Sequence, residues 1–281
     1  MKIDVHTHIF PPEIVDNRGL FFTDEAMFQA LYGNPKARLA TAEILIEAMD
    51  KAEIDCSVTF GFPWQNTELA KRHNDYVLAS ASKYPSRLVP MGCVNPVAKN
   101  ALQESERVLQ AGVRGLGELA IYEHCDESVA LDCYKGLIEC CRSYNGILLI
   151  HANEPIGHSY PGKAPFGLDF YYAIARLAEG LPLILAHWGG GLCFYEMLRK
   201  EVPETLGSVY YDTAASPFLY RSGIYAHMTE IVGAEKILFG TDYPLLAANR
   251  YFAEMANLGL AADVIDAITG GNAARLFGLA Q

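Results

Sequence analysis

The hydrophobic positions of the chain fall into eight short runs of aliphatic and β-branched residues. Most of these runs are continuously apolar rather than alternating, which is typical of parallel strands buried on both faces. The predicted strands cover residues 2–5, 55–60, 87–94, 113–119, 146–150, 183–186, 208–212 and 236–240. The pattern therefore favours an α/β protein built around a parallel sheet.

Amphipathic stretches with helix signals lie between these strands. Asn66 is placed to cap a helix whose apolar stripe reaches residue 80, and another helix is predicted over 41–51. Ser128 is predicted to cap a helix over 129–144, which stops at Asn145 because Asn-Gly suits a left-handed helix terminus. Helices thus alternate with strands along the chain.

Eight strands alternating with helices over 281 residues match the size of a (β/α)8 TIM barrel. A doubly wound open sheet usually has a glycine-rich phosphate turn after its first strand, whereas this chain has His6-Thr7-His8 there. We therefore predict one barrel domain over residues 1–281. The first connection is much longer than an ordinary βα loop, so residues 10–40 are predicted to form a lid or insertion, with 11–38 as the lid segment.

Composition and charge narrow the class of protein. The chain is 51% hydrophobic and carries a net charge of −11 at pH 7, which matches neither nucleic acid nor an anionic membrane as a partner. An early charge argues against a signal peptide, and the apolar runs are shorter than the ~18 residues that span a bilayer. Seven cysteines without a C-x-x-C motif indicate reduced thiols. These features predict a cytoplasmic protein with a small-molecule substrate and leave homo-oligomerisation open.

His6 and His8 follow the first predicted strand with a spacing of two. Because side chains of extended backbone repeat every two residues, both imidazoles are expected on one face, where they would form a common metal-ligand pair. Asp4 has the same parity and is expected to accept a ring N–H from one of them. Alone, the H-x-H pattern is weak evidence for a metal.

The same arrangement recurs at later strands. His151 follows the fifth predicted strand, His187 the sixth and Asp242 the eighth. The carboxyl ends of barrel strands converge on one mouth, where active sites are found. A single histidine at such a place is more often a core or capping residue, but recurrence at four strands indicates one shared site. Its nitrogen and oxygen ligands suit zinc, manganese or iron(II).

Glu118, at the end of the fourth predicted strand, is a fifth candidate ligand. The neighbouring Gly115 and Gly117 leave little side chain around it, which permits close approach to a metal or a substrate. The alternative is a structural glutamate at a helix entry or in a salt bridge.

Together these motifs resemble the amidohydrolase superfamily. The amidohydrolase-2 branch, with its aminocarboxymuconate-semialdehyde decarboxylase-like and pyrone-dicarboxylate lactonase-like members, is the most similar group. The resemblance runs from the H-x-H opening through His187-Trp-Gly-Gly and Gly240-Thr-Asp-Tyr-Pro to a closing Gly-Gly-Asn-Ala-Ala-Arg segment.

The resemblance implies roles for the strand-end residues. A divalent metal, commonly zinc, would be held by His6, His8, His151 and Asp242. His187 would stand nearby as a catalytic group, since four protein ligands already fill most positions of a metal that must stay open to water or substrate. Glu118 falls where binuclear members place a bridging lysine or glutamate. The presence of this carboxylate favours hydrolysis over decarboxylation. The number of metal ions, one or two, is left undecided.

The expected reaction is hydrolysis of an amide, lactone or ester bond in a small, carboxylate-bearing substrate. A divalent cation activates water, Asp242 moves its proton, and His187 stabilises the developing oxyanion. The alternative is non-oxidative decarboxylation of an aromatic or dienoic carboxylate by the same metal cage. A barrel that binds metal without turnover is the remaining possibility.

Evidence on the substrate is limited to residues in predicted strand-end loops. An aromatic pocket is expected from Trp64, Tyr160, Phe166, Trp188, Phe218 and Tyr243. Arg221 and Lys163 are the cations expected to meet a substrate carboxylate. Ordinary packing is the alternative for each aromatic residue.

Overall fold

The computed structural model describes residues 1–279 and contains eight parallel strands in that range. Residues 280 and 281 of the predicted domain lie outside the described part. Each strand falls within or next to a predicted run, and the two main differences are that β1 continues through His8 and β3 is shorter. The strands are β1 Ile3–His8, β2 Cys56–Phe60, β3 Leu88–Pro90, β4 Gly115–Leu119, β5 Ile147–Ile150, β6 Leu183–Leu185, β7 Val209–Asp212 and β8 Ile237–Leu238.

The strands close into a ring. They pair in the orders β1-β2-β3 and β4-β5-β6-β7-β8, and backbone hydrogen bonds join the two groups at both ends. Between β3 and β4, Gly92 donates to Gly115 over 3.0 Å. Between β8 and β1, Val5 donates to Phe239 over 2.8 Å. The predicted TIM barrel is confirmed.

Helices surround this ring. Within residues 1–279, none is long and apolar enough to cross a membrane. The α-helices are α1 Pro12–Asp16, α2 Ala26–Tyr32, α3 Ala42–Ala52, α4 Thr67–Lys83, α5 Ala101–Gln110, α6 Glu127–Ser143, α7 Leu168–Leu177, α8 Glu201–Thr205, α9 Ser216–Leu219, α10 Ile224–Ile231, α11 Ala248–Ala256, α12 Ala262–Asp266 and α13 Asn272–Phe277. Shorter 3-10 turns cover Arg18–Phe21, Leu192–Met197, Leu206–Ser208 and Ala234–Lys236, and a π-helical turn covers Ala267–Gly271.

The helix caps show how the sequence sets these boundaries. Asn66 caps α4 as predicted, because its side chain accepts the backbone N–H groups of Glu68 and Leu69. The cap predicted for α6 is wrong by two residues: Asp126 accepts the N–H of Ser128, which lies inside the helix. An aspartate carboxylate caps a helix as well as a serine hydroxyl does, so the helix begins two residues earlier than predicted. Asn145 adopts the predicted left-handed conformation with a φ of 51°.

Two apolar layers hold the barrel. Side chains such as Val5, Leu149 and Ile184 fill its interior, and Phe277 of α13 packs against them. Alternate strand residues, including Leu148 and Leu185, face outward against the helices. Because side chains alternate along each strand, the same short apolar run supplies both layers.

A β-bulge interrupts β1 beside the predicted metal ligands. Asp4 pairs with Ser57 and Thr7 with Thr59, so Val5 and His6 together oppose the single residue Val58. A bulge of this kind re-aims the side chains that follow it. Val5 and His6 therefore both face the barrel interior, although they are adjacent in sequence.

A second bulge lies in β4. Leu116 pairs with Leu148 and Leu119 with Ile150, which leaves Gly117 and Glu118 opposite Leu149. A Cβ at Gly117 would lie 2.6 Å from the Cβ of Leu149, so only glycine allows this approach. The bulge brings the Glu118 carboxylate to the mouth of the barrel.

The long first connection forms a folded segment over 11–38 that contains α1 and α2. Phe28 of α2 is fully buried and lies 4.5 Å from the ring of Trp64, and both belong to a third apolar cluster with Phe10 and Phe62. The buried Glu25 carboxylate accepts the N–H groups of Gln65 and Asn66 over 3.2 and 2.8 Å. The segment is therefore anchored to the β2–α4 loop; its closure over a substrate stays a prediction.

We expect Glu25→Ala to loosen this segment selectively. Loss of a buried charged acceptor leaves two N–H groups unpaired and costs about 1–3 kcal/mol. Amide hydrogen exchange over residues 11–38 should accelerate more than exchange in the barrel strands. Glu13→Ala is the matched control, because Glu13 forms only an exposed ion pair with Arg72 and such pairs contribute at most ~1 kcal/mol. Equal exchange in the two variants would show that Glu25 is not the anchor.

Candidate metal centre

Six predicted side chains converge at the carboxyl ends of the strands. Five of them are buried, with exposures of 8% or less, and Asp242 is partly accessible. Groups of three that could hold a metal ion are formed by His6, His8 and Glu118; by His6, His187 and Asp242; and by Glu118, His151 and His187. The ligand atoms of each group lie within 4.8 Å of one another.

The Glu118 carboxylate lies between two pairs of histidines. Its Oε2 is 3.6 Å from the Nε2 atoms of both His6 and His8. Its Oε1 is 3.0 Å from Nδ1 of His151 and 3.2 Å from Nε2 of His187. Each oxygen therefore faces a different pair of imidazoles.

Asp242 completes one side of this arrangement. Its Oδ1 lies 3.7 Å from Nε2 of His6 and 3.4 Å from Nε2 of His8. Ligand atoms that share one tetrahedral ion, each about 2.1 Å from it, are separated by roughly 3.4 Å. The spacing of Asp242, His6, His8 and Glu118 Oε2 is close to that value.

Hydrogen bonds at the far side of three rings set which nitrogen faces the cluster. His6 Nδ1 lies 2.8 Å from Asp212 Oδ2, His8 Nδ1 2.9 Å from the carbonyl of Gly61, and His187 Nδ1 3.0 Å from the carbonyl of Ala214. These oxygens accept, so each Nδ1 donates its proton. The three Nε2 atoms are thereby left with their lone pairs toward the cluster, as metal ligands require.

One buried nitrogen fits a metal particularly well. Nε2 of His6 is buried without a hydrogen-bond partner within residues 1–279, and it lies 3.6 Å from Glu118 Oε2 and 3.7 Å from Asp242 Oδ1. An unpaired buried polar atom is costly unless something satisfies it. Imidazole and carboxylate donors around such atoms form the donor set of a divalent-metal site.

The carboxylates of the cluster stay ionised. Burial would raise the pKa of Glu118, but the neighbouring imidazoles, those of His6 and His151 above all, outweigh it and lower the pKa well below its usual value. Burial is likewise outweighed at Asp242 by the neighbouring His8 and His6, which hold its pKa at about 2. The site therefore concentrates negative charge where a divalent cation would bind.

Backbone conformation re-aims His187. The preceding Ala186 faces the barrel interior, so strand alternation alone would point His187 outward. Residues 187–191 instead all adopt positive φ, with 57° at His187 and 60° at Trp188. Glycine adopts this conformation freely, whereas a non-glycine residue pays about 1–2 kcal/mol. The His-Trp-Gly-Gly-Gly motif is thus a left-handed turn that brings His187 to the cluster.

The role expected for Asp4 is wrong. Its carboxylate accepts the backbone N–H of His6 over 3.1 Å and the hydroxyl of Thr241 over 2.6 Å, and it binds neither predicted imidazole ring. The β1 bulge separates Asp4 from the side of the strand on which His6 lies. Asp4 instead joins β1 to the segment after β8.

Asp212, at the end of β7, takes the role expected for Asp4. It is fully buried, accepts Nδ1–H of His6, and accepts the backbone N–H groups of His187 and Ala214 with its other oxygen over 2.9 and 3.0 Å. The sequence signal existed, since Asp212 also ends an apolar strand. A search for polar residues at the end of the seventh predicted strand would have found it.

We expect Asp212→Asn to weaken metal binding about 10- to 100-fold while the fold remains intact. The amide keeps the size of the side chain but no longer fixes the His6 tautomer by a charged acceptor. Metal affinity measured by competition with a chromogenic chelator tests this. Asp169→Asn, on the first turn of α7, is the control. Unchanged affinity in the Asp212 variant would limit Asp212 to a structural role.

The residues expected to bind substrate do not form one pocket in the structure. Trp64 and Trp188 are fully buried, and their indole N–H groups donate to His73 and Ser216. The Tyr160 hydroxyl donates to Glu154 over 3.0 Å. These tryptophans have no surface facing the site in this structure, so substrate contact by them stays a prediction that requires movement.

The remaining expected contacts lie in three settings. Phe166 is buried and stacks 3.9 Å from Phe170. Lys163 forms an ion pair with Glu154 at 3.4 Å. On the surface, or partly so, lie Arg221, Phe218 and Tyr243. Substrate contact by these residues also stays a prediction.

The fold of this chain is similar to the folds of several solved structures. One similar structure is 5-carboxyvanillate decarboxylase from Sphingomonas paucimobilis, with 20% identity, coverage of 99% of both chains and a TM-score of 0.76. Another is a dihydroxybenzoic acid decarboxylase from a Polaromonas species, with 18% identity, coverage of 99% of this chain and 97% of that chain, and a TM-score of 0.71. A third, from Pseudomonas putida, is described as a 2-pyrone-4,6-dicarboxylic acid hydrolase, with 16% identity, coverage of 100% and 98%, and a TM-score of 0.68.

A family model gives the assignment that these structures alone do not. The model described as amidohydrolase matches residues 3–279, which include both ends of the barrel and all six side chains of the cluster. The chain therefore belongs to the amidohydrolase family.

Proposed function

We propose that the protein is a metal-dependent hydrolase that uses activated water to cleave a lactone, ester or amide bond in a small, carboxylate-bearing molecule. The observation that carries this proposal is the position of Glu118, whose two oxygens each face a separate pair of histidines. A carboxylate in this position is suited to bridge two divalent ions, an arrangement used by hydrolytic two-metal enzymes.

The donor atoms divide into two sets around Glu118. One ion would be held by His6, His8, Asp242 and Glu118 Oε2, and the other by His151, His187 and Glu118 Oε1. The predominance of imidazole ligands supports zinc, with manganese as the alternative. His187 thereby takes a ligand role in place of the catalytic role expected from the sequence, because its Nδ1–H is donated to Ala214 and its Nε2 lone pair faces Glu118.

The protein groups then have distinct tasks. When bound, the ions supply Lewis acidity that polarises a carbonyl oxygen and lowers the pKa of water toward ~7. Asp242 is the most accessible member of the cluster, with a side chain that is 19% exposed. Its carboxylate accepts the proton of the attacking water and returns it to the leaving group. Asp212 keeps the His6 ring fixed throughout.

A second candidate function is non-oxidative decarboxylation of an aromatic carboxylate. It is supported by the similarity of the fold to 5-carboxyvanillate decarboxylase and to the Polaromonas decarboxylase, whose structure contains manganese. The same cluster would bind the substrate carboxylate, so the products must separate the two reactions.

The test is to incubate the protein loaded with zinc or manganese with two sets of compounds. Dihydrocoumarin, aryl esters and aryl amides report hydrolysis through acid release, whereas 2,6-dihydroxybenzoate and 5-carboxyvanillate report decarboxylation through carbon dioxide release. We expect acid release from at least one of the first set and carbon dioxide from neither acid. Carbon dioxide release without hydrolysis would instead establish a lyase.

Glu118→Gln should remove the bridge while nearly preserving its shape. We expect the metal content to fall from two ions per chain to one and kcat for hydrolysis to fall by at least about 10²-fold, because the amide is a poorer ligand. Glu127→Gln, at the exposed start of α6, is the matched control. Elemental analysis and kinetics on the same preparations check this. Unchanged stoichiometry and rate would make Glu118 a structural residue.

A further inference from the structure

Two tyrosines that the sequence does not single out lie beside the metal centre. Tyr32 comes from α2 in the 11–38 segment, and Tyr122 follows β4, four residues after Glu118. The ring of Tyr122 is 5.4 Å from that of His151. Phe62 stands between the two tyrosines, 6.1 Å from the Tyr32 ring and 6.4 Å from the Tyr122 ring, and stacks on the latter. The three rings form a continuous aromatic wall beside the cluster.

The two tyrosine hydroxyl groups of this wall are available to bind a ligand. Tyr32 and Tyr122 are half-buried, and neither hydroxyl has a hydrogen-bond partner among residues 1–279, although most buried tyrosine hydroxyls find one. Burial, together with the charges of Glu118 and Asp242, raises the pKa of both phenols. Each hydroxyl therefore keeps its proton at neutral pH and is available as a hydrogen-bond donor.

The position of Tyr32 is fixed by its surroundings. Its ring packs 5.0 Å from that of the buried Phe28 and 5.4 Å from that of Phe10. Arg18 donates to the backbone carbonyls of Tyr32 and Ala37, over 3.4 and 2.6 Å. These contacts hold the end of α2 in place. The Tyr32 hydroxyl therefore loses little conformational entropy when it binds a substrate.

The side chains of the wall itself limit what it can bind. Tyr32, Phe62 and Tyr122 carry no charge at neutral pH, and Arg18 directs one guanidinium nitrogen to the backbone carbonyls of Tyr32 and Ala37. The donors that the wall offers are its two uncharged phenols. An apolar surface with neutral donors is suited to a flat ring that carries an uncharged oxygen acceptor, such as the carbonyl of a lactone, ester or amide.

We propose that Tyr32 and Tyr122, with Phe62 between them, are the residues that select the substrate, and that the bond cleaved belongs to a planar aromatic lactone, ester or amide. The substrate ring packs against the two tyrosines, and their hydroxyls donate hydrogen bonds to the carbonyl oxygen of the substrate. This inference rests on the proposed hydrolysis for the kind of bond; the ring preference and the donors are tested by binding alone.

The experiment compares two lactams that differ only by a fused benzene ring. Isothermal titration calorimetry of the zinc-loaded protein measures the Kd of 3,4-dihydro-2-quinolinone and of 2-piperidinone. We expect the fused-ring compound to bind at least about tenfold more tightly, since the added ring buries four more apolar carbons. Tyr32→Phe and Tyr122→Phe should each weaken its binding about three- to tenfold, the effect of one neutral hydrogen bond.

Controls separate this inference from the proposed reaction. Tyr84→Phe, at the C-terminal end of α4 and just before the amino end of β3, should leave both Kd values unchanged, and thermal unfolding should be unaltered in all three variants. Equal Kd values for the two lactams, no binding of either, or unchanged binding in both site variants would overturn the inference. Intact ring preference with no hydrolysis of dihydrocoumarin, the aryl esters or the aryl amides would reject the hydrolase proposal and still support substrate binding by the two tyrosines.

Discussion

Removal of the metal should abolish turnover without unfolding the protein. His8 is one of the imidazoles that face both Glu118 and Asp242, so His8→Ala should lower metal occupancy sharply. Dialysis against a chelator should eliminate activity, and added zinc or manganese should restore it. The barrel should persist because its interior layer, with Val5, Leu149 and Ile184, is apolar and does not depend on the ions.

Elemental analysis and circular dichroism of the same preparations check this expectation. His227→Ala is the matched control, because His227 is an exposed histidine of α10 outside the cluster. Equal metal content in the wild type and the His8 variant would contradict a ligand role for His8. Unfolding on chelation would show that the ions hold the barrel together.

His187→Ala should cost one of two ions and most of the turnover. The ring offers Nε2 to Glu118 Oε1 at 3.2 Å, and the backbone turn at 187–191 serves to bring it there. We expect kcat to fall by at least about 10²-fold, because the ion lost with the ring would supply part of the carbonyl polarisation and water activation. The ion held by His6, His8 and Asp242 should remain. Metal stoichiometry and steady-state kinetics on one preparation measure both effects.

The outcome separates the two roles considered for His187. Retention of both ions with a comparable loss of kcat would return His187 to the role of hydrogen-bond donor inferred from the sequence. Near-normal turnover would exclude both roles. His158→Ala, in the exposed loop after β5, should affect neither quantity.

The sequence was sufficient to predict the strands and the residues that end them. Buried parallel strands leave an apolar signal, and a polar residue at a strand end stands out against it, as at His151 and Asp242. The side-chain direction of those residues was harder to infer. His6 and Asp4 share parity but face opposite sides, because the β1 bulge inserts one residue between them. Such a bulge has no signature in a single sequence.

Other features depend on contacts between distant segments. Asp212 meets His6 across 206 positions of sequence, and Tyr32 reaches the site only because Glu25 and Phe28 fix its segment against the β2–α4 loop. Sequence reasoning placed this segment beside the site but not the direction of its side chains. Tryptophans in strand-end loops looked suited to bind substrate, whereas Trp64 and Trp188 are buried in packing. Tertiary packing, rather than local pattern, decides these positions.

The central claim is that Glu118 bridges two divalent ions in a hydrolytic site. An anomalous-difference map from crystals of the zinc-loaded protein, recorded at the zinc absorption edge, measures this most directly. The account predicts two peaks about 3.5–4 Å apart on either side of the Glu118 carboxylate, one near His6, His8 and Asp242 and the other near His151 and His187. A single peak held by His6, His8, His151 and Asp242, with Glu118 and His187 outside its coordination shell, would contradict it.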